Sequence, residues 1–163
     1  MSGLELKTYG VMAFSLAVAL LLNIYPLPME WRWWRPDFVL IVVIYWMYLL
    51  PLSLSLVAVC CFGILLDALE GMPFGQHGLA LVILAYICLL TYQRVRNYSI
   101  WQYSLWVFFL VTIAQLTDTW VQAMSGRPVP GLEFLLPAFA SACFWPLCYL
   151  GLERIRRRYR IVS

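Results

Sequence analysis

FVLIVVIYWMYLLPLSLSLVAVCCFGILL, residues Phe38–Leu66, decides how this chain folds, because it runs for 29 positions without one charged side chain. As a single helix rising 1.5 Å per residue it would reach about 44 Å. The hydrocarbon core of a bilayer is only about 30 Å thick. The run is therefore too long for one upright span and short for two. Its only punctuation is Pro51, followed by Ser53 and Ser55. Proline inside a helix removes a hydrogen bond and costs about 3 kcal/mol, so the run is read as two helices joined by a tight hairpin at Pro51–Ser55.

Working outward, apolar runs of similar character cover Thr8–Tyr25, Pro36–Leu50, Ser53–Leu69, Gly78–Tyr92, Ser99–Met124 and Gly131–Leu152. Six spans of about 20 residues use about 120 positions. That leaves short loops, two small tails and no room for a soluble domain in a chain of 163 residues. Composition agrees: 64% of the residues are hydrophobic and 12% charged, with a mean hydropathy of +0.83. Ordinary soluble domains are roughly 45–50% apolar and about 25% charged. A water-soluble enzyme, a disordered chain and a disulfide-stapled secreted module are all excluded. The five cysteines, Cys60, Cys61, Cys88, Cys143 and Cys148, lie inside apolar runs and read as small hydrophobes. With one histidine in the chain, no metal site and no cofactor are expected. The first run lacks a small-residue cleavage site and is not read as a signal peptide.

The arrangement of basic residues orients the spans. With six spans, one side holds Lys7, Arg94, Arg96 and the tail arginines Arg154, Arg156, Arg157, Arg158 and Arg160, eight in all. The other holds Arg32, Arg35 and Arg127, three in all. Cytoplasmic loops carry the excess of Lys and Arg, so both termini are expected in the cytoplasm. Residues 1–163 then form one all-α, six-helix transmembrane domain. Trp31, Trp33 and Trp34 on the outer side, and Tyr92, Tyr98, Trp101 and Tyr103 on the inner, read as headgroup-level aromatics.

Against this apolar background the polar residues stand out. Asp67 and Asp118 fall within spans, where a carboxylate costs roughly 2.5–3.5 kcal/mol on insertion scales. Thr112, Gln115, Asp118 and Gln122 recur at helical spacing and form one stripe, which should face inward. Both acids belong to the outer leaflet, with Arg32, Arg35 and Arg127 as counter-ions on that side. Two readings stay open: an outward polar pocket or partner site, or aspartates that lock helix–helix contacts. Gly71 and Gly75 belong to a compact outer turn around Pro73, where glycine supplies positive φ. His77 reads as a cap or loop residue of the fourth helix, and Gly63 as a packing residue. Ala138, Ser141 and Ala142 form a small-residue strip in the last helix, and Pro137 and Pro146 predict kinks there. The basic tail anchors topology, meets anionic lipid or contacts an acidic partner. No nucleophile–base pair, metalloprotease motif or phosphate loop is present, so no enzyme is expected, and nothing calls for nucleic acid.

Certain residues, in order, resemble a known family. They are Arg35-Pro36 leading into a span with Tyr45-Trp46, the Gly63…Asp67…Gly71…Gly75 stretch, Arg96-Asn97 before Trp101-Gln102, Asp118, and Trp145-Pro146. Together with the length and span plan, the chain resembles the rod shape-determining MreD family over essentially its full length. The resemblance implies a non-enzymatic, multi-pass component of the bacterial inner membrane that supports rod-shape maintenance and lateral peptidoglycan synthesis within the elongasome. Its implied partners are MreC and, in a wider complex, MreB, RodA and its penicillin-binding transpeptidase, together with membrane lipids. The implied fold is similar to the substrate-binding subunits of energy-coupling-factor transporters. A rival from another class is a small-molecule or lipid-binding membrane subunit with an outward-facing polar pocket.

Overall fold

The computed structural model describes residues 3–25, 34–51, 54–128, 131, 133 and 135–159. Arg32 and Arg160, the tryptophans at 31 and 33, and Ser53 at the hairpin centre lie outside the described residues. Six helices follow one another: α1 (Gly3–Ile24), α2 (Phe38–Leu49), α3 (Leu56–Glu70), α4 (Gln76–Val95), α5 (Ile100–Met124) and α6 (Leu135–Arg158). The long uncharged run does break, at Leu50 and Pro51, and α3 restarts under a serine cap: Ser55 accepts a hydrogen bond from the Ala58 amide at 3.1 Å.

Four helices, α1, α4, α5 and α6, are long and apolar enough to cross a membrane. α2, with 12 residues, and α3, with 15, are shorter than the spans expected of them. At 1.5 Å per residue α2 measures about 18 Å. It is nevertheless the centre of the bundle. Nine consecutive side chains, from Val39 to Met47, are buried, and α2 touches α1, α4, α5 and α6. A helix apolar on every face is one surrounded on every face. By contrast Phe14, Leu21, Leu90 and Leu147 on the outer helices are largely exposed, as lipid-facing residues are.

Side-chain contacts fix the relative directions. Asn23 meets Asp37 and Ser15 meets Trp46, so α1 and α2 run antiparallel. Gln115 meets Asp37 and Trp106 meets Tyr48, so α5 is also antiparallel to α2. Ser141 meets Asp37 and Glu153 meets Tyr45, so α6 runs parallel to α2. The chain thus alternates direction at each connection, and α1 begins at the end of the bundle where α6 finishes. Because longer helices surround a short α2, side chains of the flanking helices close over its N-terminal end, and a cleft remains at its C-terminal end.

α3 and α4 pack with their backbones in contact. A Cβ added to Gly63 would lie 2.5 Å from Gly78 Cα and 2.6 Å from its nitrogen. The connecting turn has glycines in the left-handed region at both ends, Gly71 at φ 66° and Gly75 at φ 92°, as the sequence led us to expect. One kink expectation is corrected. Pro137 lies in the first turn of α6, where the amide has no intrahelical partner to lose, so it does not interrupt the helix. Pro146 lies inside it.

Candidate functional site

The N-terminal end of α2 gathers most of the buried polar side chains of the bundle, Asn23, Asp67, Gln76, Asp118 and Ser141. Asp37 caps α2, accepting from the Leu40 amide at 3.3 Å. It also accepts from Asn23 of α1 and Gln115 of α5, each at 3.4 Å, while its own amide donates to Ser141 Oγ of α6 at 2.9 Å. One residue therefore ties four helices together.

Beside it lies the α3–α4 turn. Asp67 is fully buried, and its two oxygens accept three hydrogen bonds. Oδ2 takes the Gly75 amide at 2.8 Å, and Oδ1 takes the His77 amide and His77 Nδ1, both at 2.8 Å. The opposite edge of the His77 ring, Nε2, stands 3.7 Å from Glu70. Asp118, 6% exposed, acts electrostatically on His77 together with Glu70 and Asp37. Two carboxyl groups of α3 thus hold the imidazole directly, with those of Asp37 and Asp118 near it.

The expected residues divide clearly. The α5 stripe does turn inward: Asp118 is buried, and Thr112, Gln115 and Gln122 are half-buried. Asp67 and Asp118 lie at the same end of the bundle, as expected. The arginines are not their ion-pair partners among the described residues. Arg35 Nη1 donates to the Tyr25 carbonyl at 3.3 Å. Arg127 donates to the Gly71 carbonyl and Met72 sulfur at 3.3 and 3.4 Å. His77 takes their place because the two left-handed glycines fold the chain back and lay its amide and ring on Asp67. Sequence reasoning passed over Asp37, Asn23 and His77 as members of this cluster. Asp37 carried a signal, since it stands immediately before the uncharged run, in the position of a helix cap.

The cluster is short of donors. Four buried side-chain oxygens, Asn23 Oδ1, Glu70 Oε1, Gln76 Oε1 and Asp118 Oδ1, have no hydrogen-bond partner among the described residues. Buried polar atoms are satisfied in the great majority of cases, and leaving one unpaired costs about 1–3 kcal/mol. All four are acceptors, so the site suits a group that brings N–H or O–H donors or positive charge. The one histidine is engaged by the carboxylates of Asp67 and Glu70. No group of three or more His, Cys, Asp or Glu among the described residues is arranged to hold a metal.

The tail arginines at the opposite end are not equivalent. Arg156 donates to Glu153 from Nε at 2.8 Å and from Nη2 at 2.6 Å, and Arg157 adds a bond at 3.0 Å. Arg154 and Arg158 are exposed. Tyr103, expected at the membrane edge, instead turns inward and stacks on Trp145, with ring centroids 4.9 Å apart.

Comparison with known proteins gives a consistent picture. The family model for the rod shape-determining protein MreD matches residues 5–155. A similar curated protein is the rod shape-determining protein MreD of Haemophilus influenzae, 28% identical over 156 residues that cover 96% of each chain. No solved structure matches the chain.

Proposed function

Because the chain belongs to the MreD family of rod shape-determining proteins, we propose that it acts as a non-enzymatic, multi-pass scaffold of the bacterial inner membrane. In this reading both termini face the cytoplasm and all six helices lie within the bilayer. The acidic cluster at the head of α2 faces outward and receives a segment of MreC, so that the elongasome (MreB, RodA and its transpeptidase) is coupled across the membrane. The observation that carries the reading is the donor-poor acidic cluster. Four carboxyl groups lie at one end of the bundle, and four buried side-chain oxygens there, two of them on those same carboxyls, have no hydrogen-bond partner among the described residues. Burying such groups is costly, and intramembrane carboxylates that are retained serve a partner, a pathway or a packing contact. Asp67 fills the packing role, with every bond directed to its own turn. Asp118, which accepts none among the described residues, is available to a partner's lysine, arginine or backbone amide.

The test is capture of MreC by the tagged protein in mild detergent. Asp118→Lys is expected to abolish capture at unchanged membrane abundance, because it opposes a positive partner. Undiminished capture would remove the cluster from the interface. A second reading, a small-molecule or lipid-binding subunit, is favoured by the same four oxygens, since a ligand amine or hydroxyl also supplies donors. Native mass spectrometry distinguishes it: a bound small molecule lost in Asp118→Lys would favour that reading.

A further inference from the structure

The C-terminal end of α2 lies in a recess whose chemistry is opposite to that of the acidic cluster. It is a cleft of about 320 Å³ between the ends of α2, α4, α5 and α6. Its one acid, Glu153, is saturated: it accepts from Arg156 and Arg157, and from the Tyr45 hydroxyl at 3.3 Å. The Tyr48 hydroxyl is likewise engaged, by Trp106 Nε1 at 2.7 Å and by Thr91 at 3.0 Å. The remaining groups are donors. Arg96, exposed at the end of α4, and the hydroxyls of Tyr103 and Tyr149 make no hydrogen bond or ion pair among the described residues. The guanidinium groups of Arg96 and Arg156 therefore line the cleft with one carboxylate that is already neutralised. The wall behind them is rigid, since Tyr103 lies parallel to Trp145 within 4° and Tyr149 tilts against both rings.

We propose that this cleft binds the phosphate of an anionic glycerophospholipid. Arg96 pairs with the phosphate oxygens, and the Tyr103 and Tyr149 hydroxyls donate to them. The volume suits a phosphoglycerol headgroup, near the lower end of ligand pockets at about 300–1,000 Å³. The acyl chains remain outside, along apolar helix faces where Leu105, Leu147 and Leu150 are exposed. Three further observations favour a lipid over a free anion. The cleft lies at helix ends, its walls are the aromatics that favour the headgroup level, and it stands beside the arginine-rich tail. Basic pockets between helices on the cytoplasmic side are suited to anionic headgroups, and the excess of basic residues places this end in the inner leaflet.

The test is lipid retention by the purified full-length protein, measured by native mass spectrometry during titration with phosphatidylglycerol, phosphatidylethanolamine or inorganic phosphate. The wild type is expected to prefer phosphatidylglycerol at least about fivefold over phosphatidylethanolamine, the effect of one cation near an anionic headgroup. Arg96→Gln should erase that preference. Tyr103→Phe, which keeps the stack, should weaken binding severalfold. Arg158→Gln, in the tail but outside the cleft, should leave it unchanged. Equal retention of the two lipids would overturn the proposal, as would an equal loss in Arg158→Gln, which would assign the effect to the tail as a whole. Saturation by inorganic phosphate with no advantage for phosphatidylglycerol would reassign the cleft to a free anion and overturn the lipid. Arg96 is exposed, so its replacement should not change the melting temperature, and a fall would show a structural role instead. Failure here leaves the outer cluster untouched, because none of these variants alters it.

Discussion

Replacing Asp67 by asparagine exchanges one oxygen for an amino group, and it is expected to be among the more damaging conservative changes in this protein. The buried carboxylate accepts at both oxygens, from the amides of Gly75 and His77 and from the His77 ring, each at 2.8 Å. Asparagine has one acceptor oxygen. However its amide is turned, the NH₂ group faces a backbone N–H, and one donor in the α3–α4 turn is left unpaired. That costs about 1–3 kcal/mol, and converting the histidine contact from charge-assisted to neutral adds about 1. The sum of about 2–4 kcal/mol corresponds to a fall in melting temperature of about 5–15 °C for a chain of this size. Asp118→Asn provides the control. Asp118 Oδ1 is buried without a donor, so the amide surrenders no bond, and the melting temperature should stay within about 2 °C. The assay is thermal unfolding of both variants in the same detergent. Equal melting temperatures, or a larger fall for Asp118→Asn, would refute the division of the two acids into a lock and a free acceptor.

Other packing details make comparable predictions. Gly63→Ala should destabilise by about 2–3 kcal/mol, because its Cβ meets Gly78 backbone at 2.5 Å. Gly78→Ala, whose nearest obstacle is the Ile64 side chain at 3.3 Å, should cost under about 1 kcal/mol, read by the same melts. Ser15→Ala removes the acceptor of the buried Trp46 indole N–H at 2.8 Å. It should cost about 1–3 kcal/mol, measured as a lower denaturation midpoint. Arg156→Ala removes two bonds from Glu153 and should lower stability by up to about 1 kcal/mol. Arg158→Ala should leave unfolding unchanged.

Much of the architecture was legible because apolar length and proline placement are local signals. The break at Pro51, the inward stripe on α5 and the glycine turn between α3 and α4 all follow from them. What was hidden depends on three-dimensional juxtaposition. α2 is apolar on every face, so its sequence carries no moment to reveal that other helices surround it. Its shortness, and with it the cleft at its C-terminal end, shows only once the flanking helices are in place. His77 and Asp67 stand ten positions apart and meet because Gly71 and Gly75 adopt positive φ, a geometry that composition does not reveal. Asp37 looks like an ordinary cap until Asn23, Gln115 and Ser141 are seen around it. The inward turn of Tyr103 is equally invisible, since the same residue type serves as a headgroup anchor or as the wall of a cleft.

The reading to be tested is that the carboxyl group of Asp118 serves a partner in shape determination, not the stability of the bundle. The most direct measurement is complementation of rod shape by Asp118→Asn in cells lacking the protein, with membrane abundance matched to wild type by immunoblot. Rounded cells at normal abundance are expected, because asparagine keeps the fold and removes one of the two acceptor oxygens offered to a partner's donors. Rod-shaped cells at normal abundance would contradict that reading.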